Sequence, residues 1–305
     1  MTESELNVIT GAFGYTGRYI TERLLSQGRR VRTLTGHADR PDPFGGRVEA
    51  VPFNFENPPA LVDSLRGATT LFNTYWVRFS HGETTFDEAV ANTKTLIRAA
   101  EEAGVRRIVH VSITNADEDS PLPYFRGKGV LERVIAESKL SYAIVRPTVI
   151  FGKEDILINN IAWLLRRFPV FTVLGSGEYR LQPVYVEDMA DMAVAAAERD
   201  GNETFDAVGP ETFTFDALVR LIRERIGSRA RIVHIPPGPA LRLSRVVGLL
   251  VRDVVLTQEE VVGLMAGLLV SSAPPTGRTR LSDWLGENAA VVGARYASEL
   301  ERHYR

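Results

Sequence analysis

Short β-branched and aliphatic runs alternate with longer amphipathic segments along the first half of the chain. The strand-like runs are Leu6–Thr10, Arg30–Leu34, Val48–Phe53, Thr69–Asn73, Arg107–Ser112 and Ser141–Arg146. The helical patterns between them are Thr16–Ser26, Pro58–Leu65, Thr84–Ala103 and Tyr124–Glu137. This order predicts a doubly wound α/β fold, in which helices cover both faces of a parallel sheet. Ligands of such sheets bind at the carboxyl ends of the strands.

The alternation changes after Arg146, where the pattern predicts fewer strands and a mainly helical remainder. The elements predicted there are helix Ile156–Phe168, strand Leu181–Val186, helix Asp188–Glu198 and strand Thr204–Ala207. We therefore expect the sheet domain to cover residues 1–150, with residues 183–208 returning to it. A smaller, mainly helical lobe that holds a substrate or a partner is expected over residues 151–305.

Composition narrows the classes of function. The 305 residues include 36 basic and 38 acidic side chains, so no excess of positive charge favours a nucleic acid as partner. The chain has no cysteine, which excludes disulfides and thiolate metal sites. Its five histidines are scattered without ligand-like spacing, so we expect no metal site.

The most apolar region is Val246–Val270, which is interrupted by Arg252-Asp253 and by Gln258–Glu260. The uninterrupted pieces are shorter than the roughly 20 residues that span a bilayer. We interpret the region as two packed core helices, and a hydrophobic surface for a partner or a membrane is the alternative. The acidic N-terminus is unlike a signal peptide, so we expect a cytoplasmic protein, with a membrane-peripheral location as the alternative.

A glycine-rich turn directly follows the first predicted strand and opens the first predicted helix. Glycine permits a tight turn and a close approach of the backbone to a pyrophosphate, and the helix N-terminus offers N–H groups to the phosphates. This placement predicts a dinucleotide-binding site. The residues expected to contact the dinucleotide in the turn are Gly11, Phe13, Gly14, Tyr15, Thr16 and Gly17.

No carboxylate directly follows the second strand, where an acid usually holds the ribose 2′-hydroxyl of NAD. The chain continues instead to His37 and Arg40, whose side chains suit a 2′-phosphate, with Asp39 between them. These residues favour NADP(H) over NAD(H). An ordinary solvated loop is the alternative interpretation of the same charges.

A Tyr-x-x-x-Lys pair, Tyr124 and Lys128, falls between the fifth and sixth predicted strands. Side chains four residues apart share a helix face, and a nearby ammonium favours the phenolate. Such a phenol can exchange a proton with a substrate oxygen while a nicotinamide exchanges a hydride. Gly127 and Gly129 weaken the helix around the lysine, so we expect the pair on a weak first turn that Pro123 begins.

The Gly-x-x-Gly-x-x-Gly spacing and the Tyr-x-x-x-Lys pair resemble those of extended and atypical short-chain dehydrogenase/reductases, which have a Rossmann-type fold. Within that superfamily the chain is similar to members related to the NADPH-binding accessory subunit of respiratory complex I. The segments that carry this likeness are Asn73–Phe79, Pro123–Lys128 and Asp155–Asn160. The resemblance implies that Thr114 orients the substrate oxygen beside Tyr124 and Lys128. The further cofactor contacts that it implies are Asn54, Phe55, Asn73, Thr74, Tyr75, Ser112, Lys128, Pro147 and Val149.

These features favour an oxidoreductase that transfers hydride between NADP(H) and a small carbonyl or hydroxyl substrate. The complex I likeness supports an alternative, a non-catalytic NADP(H)-binding accessory or sensor protein of a respiratory complex. A nucleotide-sugar epimerase or dehydratase is a weaker alternative, because only ten positions separate Thr114 from Tyr124. The residues leave the substrate, the direction of reaction and the oligomeric state open.

Overall fold

The computed structural model describes residues 5–38, 42–80, 85–236 and 257–298. The strands in these ranges are β1 Leu6–Thr10, β2 Arg30–Thr35, β3 Val48–Pro52, β4 Ala68–Asn73, β5 Arg107–Val111, β6 Ser141–Pro147, β7 Ile150–Phe151, β8 Val170–Leu174, β9 Arg180–Leu181, β10 Val184–Tyr185, β11 Glu203–Ala207, β12 Phe213–Thr214 and β13 Arg231–Ile235. The helices are α1 Tyr15–Ser26, α2 Pro58–Leu65, α3 Phe86–Glu102, α4 Pro123–Ala136, α5 Leu157–Arg167, α6 Val186–Ala197, α7 Phe215–Arg225, α8 Gln258–Met265 and α9 Leu281–Asn288.

Seven strands form one sheet in the order β11-β6-β5-β4-β1-β2-β3. The neighbouring pairs from β6 to β3 are parallel. The six strands predicted in the first half are all present, with ends that differ by one residue at most. The predicted Rossmann-type α/β fold is therefore confirmed. The strand order reverses at β1 and β4, so the crevice beyond their carboxyl ends is where such folds bind ligands.

The sheet is held by apolar packing on both faces. Every residue of β1 and of β5 is buried, which is typical of parallel strands covered by helices on each side. One core cluster joins the sheet to α2, α3 and α4 and includes Val8, Leu71, Ile108, Leu96 and Ile135. Because these strands are fixed along their length, the polar residues at their carboxyl ends lie at defined positions.

Contacts divide the chain into two compact units. The first runs to Pro147 and includes Met189–Asp206, so it contains the large sheet. The second comprises Thr148–Asp188 and the described residues from Ala207 onward. Its core contains Phe151, Leu165, Leu218 and Trp284, which belong to helices and short strands of that unit.

Two features of the second half differ from the sequence prediction. The single strand predicted over Leu181–Val186 is two short strands, because Pro183 has no N–H and the carbonyl of Gln182 accepts a bond from the Thr148 hydroxyl. The strands β8 and β13 were not predicted, and they pair in parallel. The backbone groups of β8 and β13 form hydrogen bonds with each other. The local sequence pattern of neither segment reveals this pairing.

The apolar Val246–Val270 region lies partly outside the described residues, which resume at Thr257. Helix α8 begins there with a reciprocal cap, in which Thr257 accepts from the Glu260 N–H and the Glu260 carboxylate accepts from the Thr257 N–H. No helix among the described residues is long and apolar enough to cross a membrane.

Candidate functional site

The glycine turn folds back on itself at the carboxyl end of β1. Gly11 has φ +73°, a left-handed conformation that favours glycine. Its carbonyl accepts from the Gly14 N–H at 2.9 Å, which closes the turn. A Cβ on Gly17 would lie 2.2 Å from the Gly11 carbonyl oxygen, so no side chain fits there. The turn and the first helical turn thus pack at a distance that only glycine permits.

Helix α1 begins without a side-chain cap. Gly14 is the N-cap residue and offers no side chain to the helix, and the first turn contains no acidic residue. The first helical hydrogen bond runs from the Arg18 N–H to the Gly14 carbonyl. The N–H groups of Thr16 and Gly17 therefore have no partner within the helix. A free, positively polarised helix terminus beside a glycine turn fits a pyrophosphate.

Polar contacts tie the end of β1 to the end of β4. The Thr10 hydroxyl lies 3.0 Å from the Asn73 side-chain oxygen and accepts from the N–H groups of Thr74 and Tyr75, at 2.7 and 2.9 Å. The Thr74 hydroxyl donates to the Thr10 carbonyl at 2.5 Å. The structure thus brings the predicted residues Asn73, Thr74 and Tyr75 next to the strand that leads into the glycine turn.

An aromatic cluster follows β3. Phe53 and Phe55 stack with ring centroids 4.9 Å apart, and the Tyr75 ring lies 5.1 Å from both. Asn54, between the two phenylalanines, has φ +52°, which lets Phe53 and Phe55 turn toward each other. The Tyr75 hydroxyl accepts from the Asn92 side chain at 3.1 Å. The predicted pair Asn54-Phe55 therefore shares this cluster with Tyr75.

The end of β2 carries no carboxylate among its described residues. Thr35 ends the strand, Gly36 is exposed, and the His37 N–H donates to the Thr35 hydroxyl at 3.1 Å. Phe13 of the glycine turn lies 6.3 Å from the ring of Phe44. Arg40, the other residue predicted to face a 2′-phosphate, lies outside the described residues, as does Asp39.

Lys128 is buried at the carboxyl end of β5. Its side chain is 2% exposed, and its Nζ donates to the Val111 carbonyl at 2.8 Å. The ammonium also lies 4.5 Å from the centroid of the Trp76 ring, within cation–π range. Burial lowers the pKa of Lys128 to about 7, although the nearby Glu132 carboxylate opposes this effect. Lys128 is thus a group that changes charge near neutral pH.

Tyr124 lies one turn before Lys128 on α4, which begins at Pro123 as expected. Its ring packs edge-on against Trp76 and Phe86, with centroids 5.7 and 6.0 Å away. Both members of the Tyr-x-x-x-Lys pair therefore contact Trp76. The helix around them continues to Ala136, so the pair lies on a full helix rather than on an isolated weak turn.

Close packing explains why glycine stands on each side of Lys128. A Cβ on Gly127 would lie 2.7 Å from the Trp76 ring, and a Cβ on Gly129 would lie 2.3 Å from the Glu118 backbone nitrogen. These glycines reduce helix propensity, but they let an aromatic ring and a loop approach α4 closely.

The hydroxyl groups of Ser112 and Thr114, just after β5, donate hydrogen bonds to other groups of the protein. Thr114 is 1% exposed, and its hydroxyl donates to the Arg146 carbonyl at 3.0 Å. The Ser112 hydroxyl donates to Glu132 at 2.5 Å, and the Arg146 guanidinium holds the same carboxylate through its Nε at 2.9 and 3.1 Å. The hydrogen bonds that Arg146 donates to the Glu132 carboxylate raise the pKa of Arg146.

Sequence reasoning did not select Glu132, Trp76 or His110. His110 is fully buried on β5, and its Nδ1 lies 3.0 Å from the Asn73 amide nitrogen. Burial lowers the pKa of His110 well below its usual value, so this imidazole is neutral. A glutamate one turn after the lysine, on a helix that is otherwise apolar on that side, was the available signal for Glu132.

Pro147 is the last residue of β6 and Val149 follows it, and the two belong to different units. The buried Pro147 ends the strand, and its carbonyl accepts from the Thr114 N–H at 2.9 Å. Val149 lies in the second unit and packs against that unit's core.

The comparisons with known proteins agree with this geometry. Residues 11–159 match the family described as NAD(P)H-binding. This range, just under half of the chain, is therefore similar to NAD(P)H-binding domains. The residues of the glycine turn that we predicted to contact the dinucleotide lie within the matched range.

Two curated relatives have names that describe different roles. The chain is 28% identical over 242 residues to subunit 9 of the NADH dehydrogenase [ubiquinone] 1 alpha subcomplex of Arabidopsis thaliana, covering 75% of this chain and 60% of that protein. It is 29% identical over 236 residues to the ceramide reductase of Caulobacter vibrioides, covering 75% and 74%. The chain spans about three-fifths of the length of the complex I relatives.

A solved structure shares the fold. The triphenylmethane reductase of Citrobacter sp., complexed with NADP(H), superposes with a TM-score of 0.71 at 17% identity, covering 93% of this chain and 99% of that one. At this identity the likeness establishes the fold alone.

Proposed function

We propose that this NAD(P)-binding protein is an oxidoreductase that transfers hydride between NADP(H) and a carbonyl or hydroxyl substrate. The observation that carries the proposal is Lys128, a buried cation at the carboxyl end of β5, one helical turn from Tyr124. A buried group whose pKa is about 7 is unusual for lysine and is typical of functional sites.

Each residue has a defined part in this proposal. The glycine turn and the uncapped start of α1 hold the pyrophosphate. The bound nicotinamide supplies or accepts the hydride. Tyr124 exchanges a proton with the substrate oxygen, and Thr114 orients that oxygen. Lys128 donates one hydrogen bond to Val111, which leaves two N–H groups for a ribose hydroxyl and for support of Tyr124.

The preference for NADP(H) over NAD(H) is part of the proposal. It is supported by the absence of a carboxylate at the described end of β2 and by the position of His37 directly after that strand. Fluorescence titration with NADPH and NADH measures the preference. We expect NADPH to bind about tenfold more tightly or better, and H37A to reduce that ratio. Equal affinities for both nucleotides would contradict the preference.

The oxidoreductase proposal is tested with Tyr124→Phe. NADPH oxidation is followed with a panel of carbonyl compounds that includes long-chain ketones. Removing the phenol should lower kcat by about 10²-fold or more while the Kd for NADPH changes little. Tyr142→Phe, on β6, is the matched control and should keep full activity. Full activity in the Y124F protein would exclude Tyr124 as the proton donor.

A second function is favoured by the complex I relatives, namely a non-catalytic NADP(H)-binding accessory protein of a respiratory complex at the membrane surface. It is supported by the names of those relatives, which the chain matches over 75% of its own length. The expected result is bound NADP(H) without turnover on any carbonyl, together with comigration of the chain and a respiratory complex in native gels. Measurable turnover that depends on Tyr124 would favour the oxidoreductase.

A further inference from the structure

Trp76 touches both residues of the Tyr-x-x-x-Lys pair. Its ring lies 4.5 Å from the Lys128 ammonium and 5.7 Å, edge to face, from the Tyr124 ring. Phe86 stacks against it at 6.0 Å, so the indole is held in place from another side. No other aromatic ring in the described ranges lies within cation–π distance of Lys128.

The backbone of α4 is adapted to this ring. Gly127 lies directly before Lys128, and a Cβ there would come within 2.7 Å of one Trp76 carbon and 3.2 Å of the next. Alanine at such a helical position would normally add about 1 kcal/mol of helix stability. Gly127 thus lowers helix propensity, but it leaves space for the Trp76 indole beside Lys128.

The contact between Trp76 and Lys128 should affect the charge of the lysine, because the ammonium is buried. An ammonium removed from water loses hydration, and the negative face of an aromatic ring compensates part of that loss. The titratable groups that face Lys128 are His110 on β5, which is neutral, and Glu132 one turn later on α4. The Glu132 carboxylate is already shared with Arg146 and Ser112.

We propose that Trp76 is a positioning residue of this site, which holds the Lys128 side chain in its charged form beneath the bound nucleotide and fixes the edge of Tyr124. The proposal rests on the proposed oxidoreductase function for its consequence in turnover, but the state of Lys128 can be measured without it. The indole N–H of Trp76 is buried and has no hydrogen-bond partner among the described residues. It is therefore also available to an oxygen of the bound nucleotide.

The first test measures Lys128 directly. The chain has four lysines, Lys94, Lys128, Lys139 and Lys153, so NMR titration of ¹³Cε-labelled lysine resolves few signals, and K128R assigns the relevant one. We expect Trp76→Leu to lower the pKa of Lys128 by about one unit and Trp76→Phe to have a smaller effect, because phenylalanine keeps a weaker aromatic face. The Kd for NADPH should rise about threefold or more in W76L.

A second variant leaves the indole itself in place. Gly127→Ala forces the Trp76 ring away and should lower the pKa of Lys128 as W76L does. Gly286→Ala on α9, where a Cβ would meet nothing within 4 Å, is the matched control and should change neither the titration nor NADPH binding. Circular dichroism confirms that each variant is folded.

An unchanged Lys128 titration in folded W76L or G127A protein would overturn the role of Trp76. If the titration shifts as expected but no carbonyl compound is reduced by the wild-type protein, the oxidoreductase proposal fails and the role of Trp76 in holding Lys128 stands. If turnover is found, W76L should shift the pH profile of kcat in the same direction as the titration.

Discussion

The glycine turn leaves no room for a Cβ atom at one of its glycines and little room at another. At Gly17 a Cβ would lie 2.2 Å from a carbonyl oxygen, whereas at Gly14 the same distance is 3.2 Å. The first distance is far below van der Waals contact, and the second can be relieved by a small shift. The two glycines of one motif therefore differ in how strictly they are required.

Substitution at these positions should separate them. Gly17→Ala has to push α1 away from the turn, so the Kd for NADPH should rise about tenfold or more and the protein should lose about 1–3 kcal/mol of stability. Gly14→Ala should weaken binding less. Fluorescence titration and urea unfolding measure both effects. Equal effects of the two substitutions would show that close packing against Gly11 is not the reason for glycine at position 17.

Arg107 is a buried residue whose guanidinium donates several hydrogen bonds. It is completely buried, and its guanidinium donates to the carbonyls of Ala196 and Gly201, at 2.8 and 3.0 Å, and to the Ser141 hydroxyl at 2.5 Å. These bonds fasten β5 to the end of α6 and to the segment before β11.

Arg107→Met should therefore destabilise the first unit by about 1–3 kcal/mol, because it leaves the buried Ala196 carbonyl and two partly buried acceptors without their donor. Arg107→Lys should recover part of the loss, since a lysine can satisfy one or two of them. Chemical unfolding followed by circular dichroism measures the difference. A loss below about 0.5 kcal/mol in R107M would mean that water replaces the guanidinium without cost.

At the scale of elements, the described helices begin either with or without a side-chain cap. Asn57, Thr85, Thr214 and Thr257 each accept a backbone N–H at the start of their helices. Helices α1, α4 and α9 begin at Gly14, Leu122 and Arg280, which make no side-chain cap. A missing cap costs stability in isolation, and at α1 a phosphate bound in the glycine turn would satisfy the N–H groups of the first helical turn.

Helix α5 shows the opposite arrangement. Asp155 is 1% exposed and accepts from the Ile158 N–H at 2.6 Å and from the Asn159 side chain at 3.0 Å. Burial raises the pKa of Asp155 to about 7, against the effect of these hydrogen bonds. The folded state therefore retains a proton that the unfolded chain loses near pH 4.

The sign of the pH effect follows from that difference. Between about pH 4 and pH 7 the folded state binds more protons at Asp155, so this residue makes stability fall as pH rises, by up to about 1.4 kcal/mol per pH unit. Asp155→Asn should abolish this component of the slope and cost about 1–3 kcal/mol, because its amide would face N–H donors. Urea unfolding at pH 5, 6 and 7 compares the two proteins. Identical slopes would mean that Asp155 is ionised throughout this range.

At the scale of the whole molecule, we expect cofactor binding and folding to be coupled in the first unit. The residues proposed to hold the nucleotide come from the ends of β1, β2, β4 and β5, which meet only when the sheet is formed. A ligand that binds only the folded state stabilises it by mass action.

NADPH at about 100 times its Kd should stabilise the first unit by about 2.7 kcal/mol and raise its Tm by several degrees. NADH at the same concentration should give a smaller shift if NADP(H) is preferred. Differential scanning calorimetry measures both, with G17A protein as the control, in which a tenfold higher Kd should reduce the stabilisation to about half. A larger shift with NADH would contradict the proposed cofactor preference.

Much of the sheet domain could be predicted because its signals are local. The strands repeat as short apolar runs, the glycine turn follows one of them, and Tyr124 and Lys128 share a helix face by spacing alone. The strands β8, β9, β10 and β13 were missed or misjudged, because each depends on a partner distant in sequence and β9 and β10 have only two residues each.

The sequence by itself determined the fold class, the glycine turn proposed to bind the dinucleotide and the Tyr-x-x-x-Lys pair, because periodicity and spacing within a few residues specify them. Only the tertiary structure decided what surrounds the pair. Ser112 meets Glu132 across 20 positions, and Asn73 meets His110 across 37. Trp76 reaches Lys128 only because Gly127 leaves room. These contacts set charge and burial at the site, and they arise from packing between strands and helices that no local pattern encodes.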